Sequence, residues 1–393
     1  MPYFRSLGAL PAKRRTLFPN GESGYYSEEL VGEEGFSSDL SHVYHVHPPT
    51  AIVKAEGIDR EPVTLVDNWP LLPRHFFTSK VPTGDDLVLG RTPLLVNDDV
   101  TLGFASATEP SGLFRDADGD ECLYLYSGSA TLLSMFGPLE VRAGDYVVIP
   151  AGVIHQWIPG ADGVSALTIE SRGHIKPPAR YLSKAGQFLE MAPYRERDLR
   201  GPQSLDEPRE GEADVVIRRA GRLTRLTYRH HPFDVVGWNG CVYPYAFSIH
   251  DFEPVVGRIH QPPPVHQTFE GPGFVLCSFV PRLSDYDPAA VGGPANHMNI
   301  DSDEVMFYAG GDYTARSGSG IGPGSVSLHP LGWTHGPQKQ PDGRRTPGAM
   351  LDELAVMIDT FAPLRLSSAA VEAEDQDYFA SWDRGQGGDR EHA

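Results

Sequence analysis

Short apolar or alternating runs rich in β-branched and aromatic residues recur along most of the chain. CLYLYSGSATLLSMF, LEVRAGDYVVIP, GFVLCSFV and EVMFYAGGDYTARS are examples. Turn signals interrupt them every 6 to 12 residues: Pro-Asn-Gly, Asp-Gly-Asp, Phe-Gly-Pro, Pro-Ala-Gly, Gly-Pro-Gly. Period-two alternation with this punctuation predicts strands, and their even spacing predicts a sandwich or barrel rather than βαβ units. Helical periodicity is scarce; residues 179–191 and 368–379 could each supply a short helix.

A change of composition divides the pattern. Residues 195–212 (RERDLRGPQSLDEPREGE) carry ten charges, two prolines and two glycines, as a linker would. The expected organisation is an N-terminal extension with strands (1–60), a first barrel (61–194), the linker, a second barrel (213–368) and a flexible acidic tail (369–393). A chain of 393 residues has room for two such domains.

The 33 basic against 52 acidic side chains give a net charge of −19, which speaks against a nucleic-acid partner. A small anionic substrate stays possible, because a local site can oppose the overall field. Three widely spaced cysteines build neither a disulfide framework nor a CxxC zinc site and suit a reducing compartment. Arg14-Arg15 is not followed by an apolar stretch, and no run reaches the roughly 18 apolar residues of a membrane span. The expectation is a cytoplasmic protein with no membrane partner.

The two halves share a spacing. Gly144, Pro150, Gly152 and His155 (GDYVVIPAGVIH) stand at the same offsets as Gly324, Pro330, Gly332 and His335 (GSVSLHPLGWTH). One such match should arise by chance about 0.01–0.02 times in a chain of this composition, so two indicate a repeat. Upstream, Glu121 and Gly128 are separated as Glu304 and Gly311 are, and the glutamate precedes its histidine by 34 residues in one half and 31 in the other. The physical reading is a strand carrying the glutamate, then a hairpin, then a Pro-x-Gly turn that delivers the histidine beside it.

This spacing resembles the two motifs of the cupin superfamily, a small antiparallel jelly-roll barrel. The second half matches both: His297-Met298-Asn299 before Glu304 and Gly311, then His335. The first half keeps the later motif only; upstream of Glu121 it reads FRDADGD where histidines are expected. The implied fold is mainly β, two cupin-type antiparallel jelly-roll barrels in tandem, the first metal-free.

His297, Glu304 and His335 supply two imidazoles and one carboxylate, the set that holds non-haem Fe(II) with open positions for substrate and O2. The same donors suit zinc or manganese. The competing reading has the histidines capping turns and Glu304 on an exposed strand face. His329, on the same turn as His335, is a candidate outer partner or substrate contact. His260 and His266 lie in a stiff, proline-rich loop (GRIHQPPPVHQTFE), where spacing alone favours a structural role. His42, His45 and His47 look like a metal tract, yet lack a third ligand nearby and read as a solvated or interface strand.

Taken with their surroundings, these residues are similar to the homogentisate 1,2-dioxygenase family. Gly32–Ser38 (GEEGFSS), Tyr44 and His47-Pro48-Pro49-Thr50 resemble that family's opening block; His297–Asn299, Ser327–His329 and Thr334–Pro337 resemble its iron-site blocks. The resemblance implies Fe(II) on His297, Glu304 and His335, a proton-accepting His260, and substrate contacts from Tyr313, His329 and His335. It further implies O2-dependent ring cleavage of homogentisate to maleylacetoacetate in tyrosine and phenylalanine catabolism, no organic cofactor, and a trimer or hexamer. Two departures bear on the substrate: one extra residue between His297 and Glu304, and Gln338 where an acidic residue is expected. Another hydroquinone such as gentisate is the alternative substrate, and a non-catalytic cupin binding module is the alternative class.

Overall fold

A computed structural model describes residues 3–21, 24–261, 263–290, 296–313, 316, 318–338 and 347–384. The fold is mainly β, and its strands pair almost entirely antiparallel. The chain packs into two units: Met1–Pro62, Thr83–Arg91 and Ala105–Ser248 in one, Val63–Pro82, Thr92–Phe104 and Ile249–Ala393 in the other. The charged segment 195–212 thus lies inside the first unit. Part of it, Leu199–Arg200, pairs as an edge strand with Tyr245–Ser248.

The first unit pairs Tyr245–Ser248, Asp145–Ile149, Glu121–Ser134 and His155–Ser171 in that spatial order. A smaller sheet runs Arg5–Gly8, Val235–Gly240, Leu40–His45, Ser27–Gly32. Leu139–Arg142 keeps the alternation of buried and exposed residues, whereas Asp145–Ile149 is buried throughout. Such a run is what a strand covered on both faces requires. Trp157 and Trp238 anchor the core, the latter donating its indole N–H to Phe136 O at 2.9 Å. His42 and His45 are buried, not solvated. His42 meets Glu28 at 2.8 Å, and His45 lies between Asp234 at 2.7 Å and Glu29 at 3.0 Å.

The second unit is built on a six-stranded antiparallel sheet. Its order is Gln267–Gly271, Phe274–Phe279, Glu353–Thr360, Asp303–Gly311, Ser325–His329, Arg74–Phe77. Ser325–His329 is buried at every position, so its polar side chains need partners. Ser325 has His75 at 2.8 Å and Ser327 has Tyr308 at 3.1 Å.

Helix is rarer than the sequence suggests. Within 179–191 only the single turn Ala179–Tyr181 forms, between Pro177-Pro178 and a left-handed Gly186. The C-terminal segment is more ordered than its composition implies. Ser367 caps a short helix, Ser368–Glu372, and two further turns, Tyr378–Ala380 and Ser381–Arg384, bury Tyr378 and Ser381. No helix among the described residues is long and apolar enough to cross a membrane. Cys122, Cys241 and Cys277 are free thiols.

Candidate metal centre

Glu304 enters the site as the second residue of the Asp303–Gly311 strand. Its neighbour Asp303 points its carboxylate the other way in function as well as in space. It accepts the Leu331 N–H and the Leu364 N–H, both at 2.8 Å, and so pins the turn that follows Ser325–His329. That turn is the Pro-x-Gly element. Trp333 N–H bonds Pro330 O, and Gly332, left-handed at φ +81°, donates to Asn299 O at 3.0 Å. A side chain here would be strained, which is why glycine serves. Beyond the turn, His335 and His297 form an antiparallel bridge, each backbone N–H donating to the other's carbonyl at 2.9 and 2.8 Å.

The result is convergence. His297 Nε2 is 3.8 Å from Glu304 Oε2, and His335 Nε2 is 3.4 Å from Glu304 Oε1. The three ligand atoms all lie within 4.8 Å of one another. Ligand atoms bound to one ion at about 2.1 Å and adjacent to each other stand about 3 Å apart, so a small closing movement suffices. The competing picture of turn caps and an exposed strand face does not hold, because Glu304 and His335 are buried. His335 Nδ1–H donates to Trp333 O at 3.1 Å, which leaves the Nε2 lone pair inward. That Nε2 is buried without a hydrogen-bond partner. An orphaned imidazole nitrogen beside a carboxylate and a second imidazole is the donor set of a divalent metal.

His329 supports this set from the neighbouring strand, in register with Glu304. Burial lowers its pKa to about 3 against the pull of Glu304, so the ring is neutral. Its Nδ1–H then donates to Glu304 Oε1 at 2.8 Å, and its Nε2 accepts the Tyr378 hydroxyl at 3.0 Å. Burial raises Tyr378 and keeps that hydroxyl protonated. Burial opposes the Glu304 charge too, but His297, His329 and His335 outweigh it and hold the carboxyl well below its ordinary range.

Asp359 is the other in-register neighbour of Glu304. Burial, then Glu304 and Asp301, push it up to about 7. On the outer side of His335 lies an open pocket of about 230 Å³, walled by Trp333, Phe379 and Trp382.

The remaining sequence candidates sit apart in their contacts. The Tyr313 hydroxyl accepts from Gly310 N at 2.6 Å, donates to Leu354 O at 2.5 Å and stands edge-on to Tyr308. His260 is half exposed, with Nδ1 3.8 Å from Asp285 Oδ2. His266 is buried and stacked on Phe279. Tyr378, Trp382 and Asp359 belong to no motif of the sequence. Asp359 had a signal, since it interrupts the apolar run ELAVMIDTF; the two aromatics lay in a segment read as tail.

The first unit repeats the frame with other contents. His155 Nε2 lies 3.8 Å from Glu121 Oε1, and its Nδ1–H donates to Val153 O at 3.2 Å, as in the second unit. Glu170 is in register with Glu121 as Asp359 is with Glu304. Here, however, Arg91 Nη1 bonds Glu121 and reaches Glu170 at 2.9 Å, and Arg218 bonds Asp116 and Glu170, the latter at 2.7 Å. Two guanidinium groups supply the positive charge.

Comparison with known proteins agrees with this architecture. The N-terminal model of the homogentisate 1,2-dioxygenase family matches residues 104–249 and its C-terminal model residues 266–386. A Saccharolobus solfataricus protein, provisionally named a dioxygenase with no stated substrate, is 36% identical over 386 residues, 97% of this chain and 99% of its own. Homogentisate 1,2-dioxygenase of Rhodopseudomonas palustris (strain BisB5) is 26% identical over 419 residues, covering 95% of this chain and 90% of its own. Among solved structures, a cupin 2 conserved barrel domain protein from Leptotrichia buccalis overlaps 74% of this chain and 97% of its own at 9% identity and TM-score 0.34. The two family models match in tandem, each over one antiparallel β unit, and the chain belongs to the homogentisate 1,2-dioxygenase family.

Proposed function

We propose that the protein is an Fe(II)- and O2-dependent ring-cleaving dioxygenase that opens homogentisate to maleylacetoacetate, a step of tyrosine and phenylalanine catabolism. The observation that carries the reading is the convergence of His297, Glu304 and His335 with one imidazole nitrogen orphaned. Two neutral nitrogens and one anionic oxygen fit ferrous iron and leave one face for other ligands. Bound there, Fe(II) would bring ring and O2 together and pass electrons between them.

The chain's own residues do the rest. His329 fixes the Glu304 carboxylate by its N–H and is itself fixed by Tyr378, so the ligand is oriented before anything binds. Trp333, Phe379 and Trp382 offer aromatic faces to an aromatic ring beside His335. Holding the ring in one orientation removes much of the encounter entropy. In this reading His260 accepts the proton of a ring hydroxyl, Tyr313 contacts the substrate by exchanging its bond to Leu354 O, and His329, whose two ring nitrogens are taken by Glu304 and Tyr378, acts through the Glu304 ligand. The first barrel carries structure rather than metal, because Arg91 and Arg218 already neutralise its carboxylates. A trimer or hexamer in the cytoplasm completes the proposal.

The alternative substrate is gentisate or a related hydroquinone, and the comparisons do not decide between the two. The relative at 36% identity is named without a substrate, while the one named for homogentisate is at 26%. The test is anaerobic loading with Fe(II), then oxygen uptake with each compound. Uptake with homogentisate, and far less with gentisate, supports the proposal. The reverse order moves the substrate, and no uptake with any hydroquinone leaves a binding module.

A further inference from the structure

Glu304 has two in-register strand neighbours, His329 on one side and Asp359 on the other. Directly opposed residues of antiparallel strands point to one face, with Cβ atoms about 5 Å apart. Asp359 and Glu304 are therefore side-by-side carboxylates on the face that carries the candidate ligands. His329 bonds Glu304 at 2.8 Å, but Asp359 has no such link: its Oδ1 is buried without a hydrogen-bond partner. Adjacent buried carboxylates are costly unless a cation compensates them.

The first unit shows what compensation looks like. Its equivalent pair, Glu121 and Glu170, is met by Arg91 and Arg218. Among the described residues of the second unit, no lysine or arginine pairs with Glu304 or Asp359. Arg316, whose charge is felt at Glu304 but not among the causes acting on Asp359, makes its hydrogen bonds to Gly336 O at 3.0 Å and Gln338 Oε1 at 3.3 Å. Where one barrel holds two guanidinium groups, the other holds a second carboxylate still lacking its positive partner.

We propose that Asp359 is a second carboxylate of the metal site, a positioning residue that sets the negative charge of the centre and so its hold on a divalent cation. Asp359 lies outside the three residues whose ligand atoms converge within 4.8 Å, so it would act through its charge: two carboxylates against one dication sum to zero, which suits a buried site. The inference rests on His297, Glu304 and His335 being the ligand set.

The test uses Co(II) as probe on the full chain, with affinity read by chelator competition and melting temperature read with and without metal. Asp359→Asn should bind Co(II) roughly 10- to 100-fold more weakly, the usual effect of losing an outer partner. Its metal-free form should melt at or above the unmodified protein, because a buried acidic group beside Glu304 is replaced by a neutral one. Asp359→Ala should behave in the same way. Co(II) affinity within about twofold of the unmodified chain, or a metal-free form that melts lower, overturns the proposal and makes Asp359 a structural residue. His335→Ala runs alongside. If it too binds Co(II) normally, the ligand set itself is wrong. If it alone loses Co(II), the ligand set stands and only the Asp359 assignment falls.

Discussion

Replacing Arg91 by Met should unfold the first barrel's charge cluster while leaving the metal centre intact. Arg91 is buried and serves two carboxylates, Glu121 and Glu170, of which Glu121 is 1% exposed. Burial opposes the Glu170 charge, but Arg218 and then Arg91 depress its pKa from 4.5 to about 2. A shift of that size is worth about 3 kcal/mol, of which Arg91 supplies a share, and the Glu121 contact adds to it. Removing one partner of a buried pair typically costs about 3–5 kcal/mol. Both routes put the loss near that range at neutral pH. The sign with pH follows. A carboxylate depressed in the folded state contributes stability above its unfolded pKa and loses it as pH falls through its folded value. In Arg91→Met the orphaned Glu121 takes a proton readily, so the deficit against the parent should be largest near neutrality and shrink on acidification. Urea denaturation across pH, with Arg91→Met/Glu121→Gln as a partial rescue, measures it. A single variant within about 1 kcal/mol of the parent at pH 7 would refute the reasoning.

The other expectations concern the site and one distant switch. Tyr378→Phe removes the donor to His329 and should weaken metal binding by roughly tenfold without unfolding the protein, read by chelator competition. Asp303→Ala frees Leu331 and Leu364 N–H groups and loosens the turn that delivers His335; it should cost about 2 kcal/mol and lower metal affinity as well. Burial opposes the His45 charge, but Asp234 and Glu29 raise it from 6.5 to about 9, so its contribution of about 3 kcal/mol is complete below 6.5 and lost as pH rises through 9. Urea midpoints at pH 6 and 10 should show that loss, and Asp234→Asn should flatten it.

Much of this was legible in the chain because it depended on local rules. Period-two alternation and turn residues mark strands wherever they occur, and the Gly-x5-Pro-x-Gly-x2-His spacing marks a turn whose geometry is the same in both barrels. His297, Glu304 and His335 were readable since each is tied to such a motif. Arg91 was not, because the guanidinium that meets Glu121 comes from 30 residues upstream and has no motif of its own. Tyr378 and Trp382 were hidden by an acidic, glycine-bearing context that resembles a fraying tail. What orders them is burial against His329, a tertiary fact. The charge run at 195–212 packs with the first unit, and only Leu199–Arg200 of it joins a sheet, a tertiary placement that composition does not carry.

The proposed chemistry requires one metal ion held by three side chains of the second unit. Anaerobic Fe(II) titration of the purified chain, followed by iron analysis after gel filtration, tests it directly. The expectation is one iron per chain, and loss of nearly all of it in His335→Ala and in Glu304→Gln. Equal iron in the parent and both variants, or none in the parent, would contradict the claim.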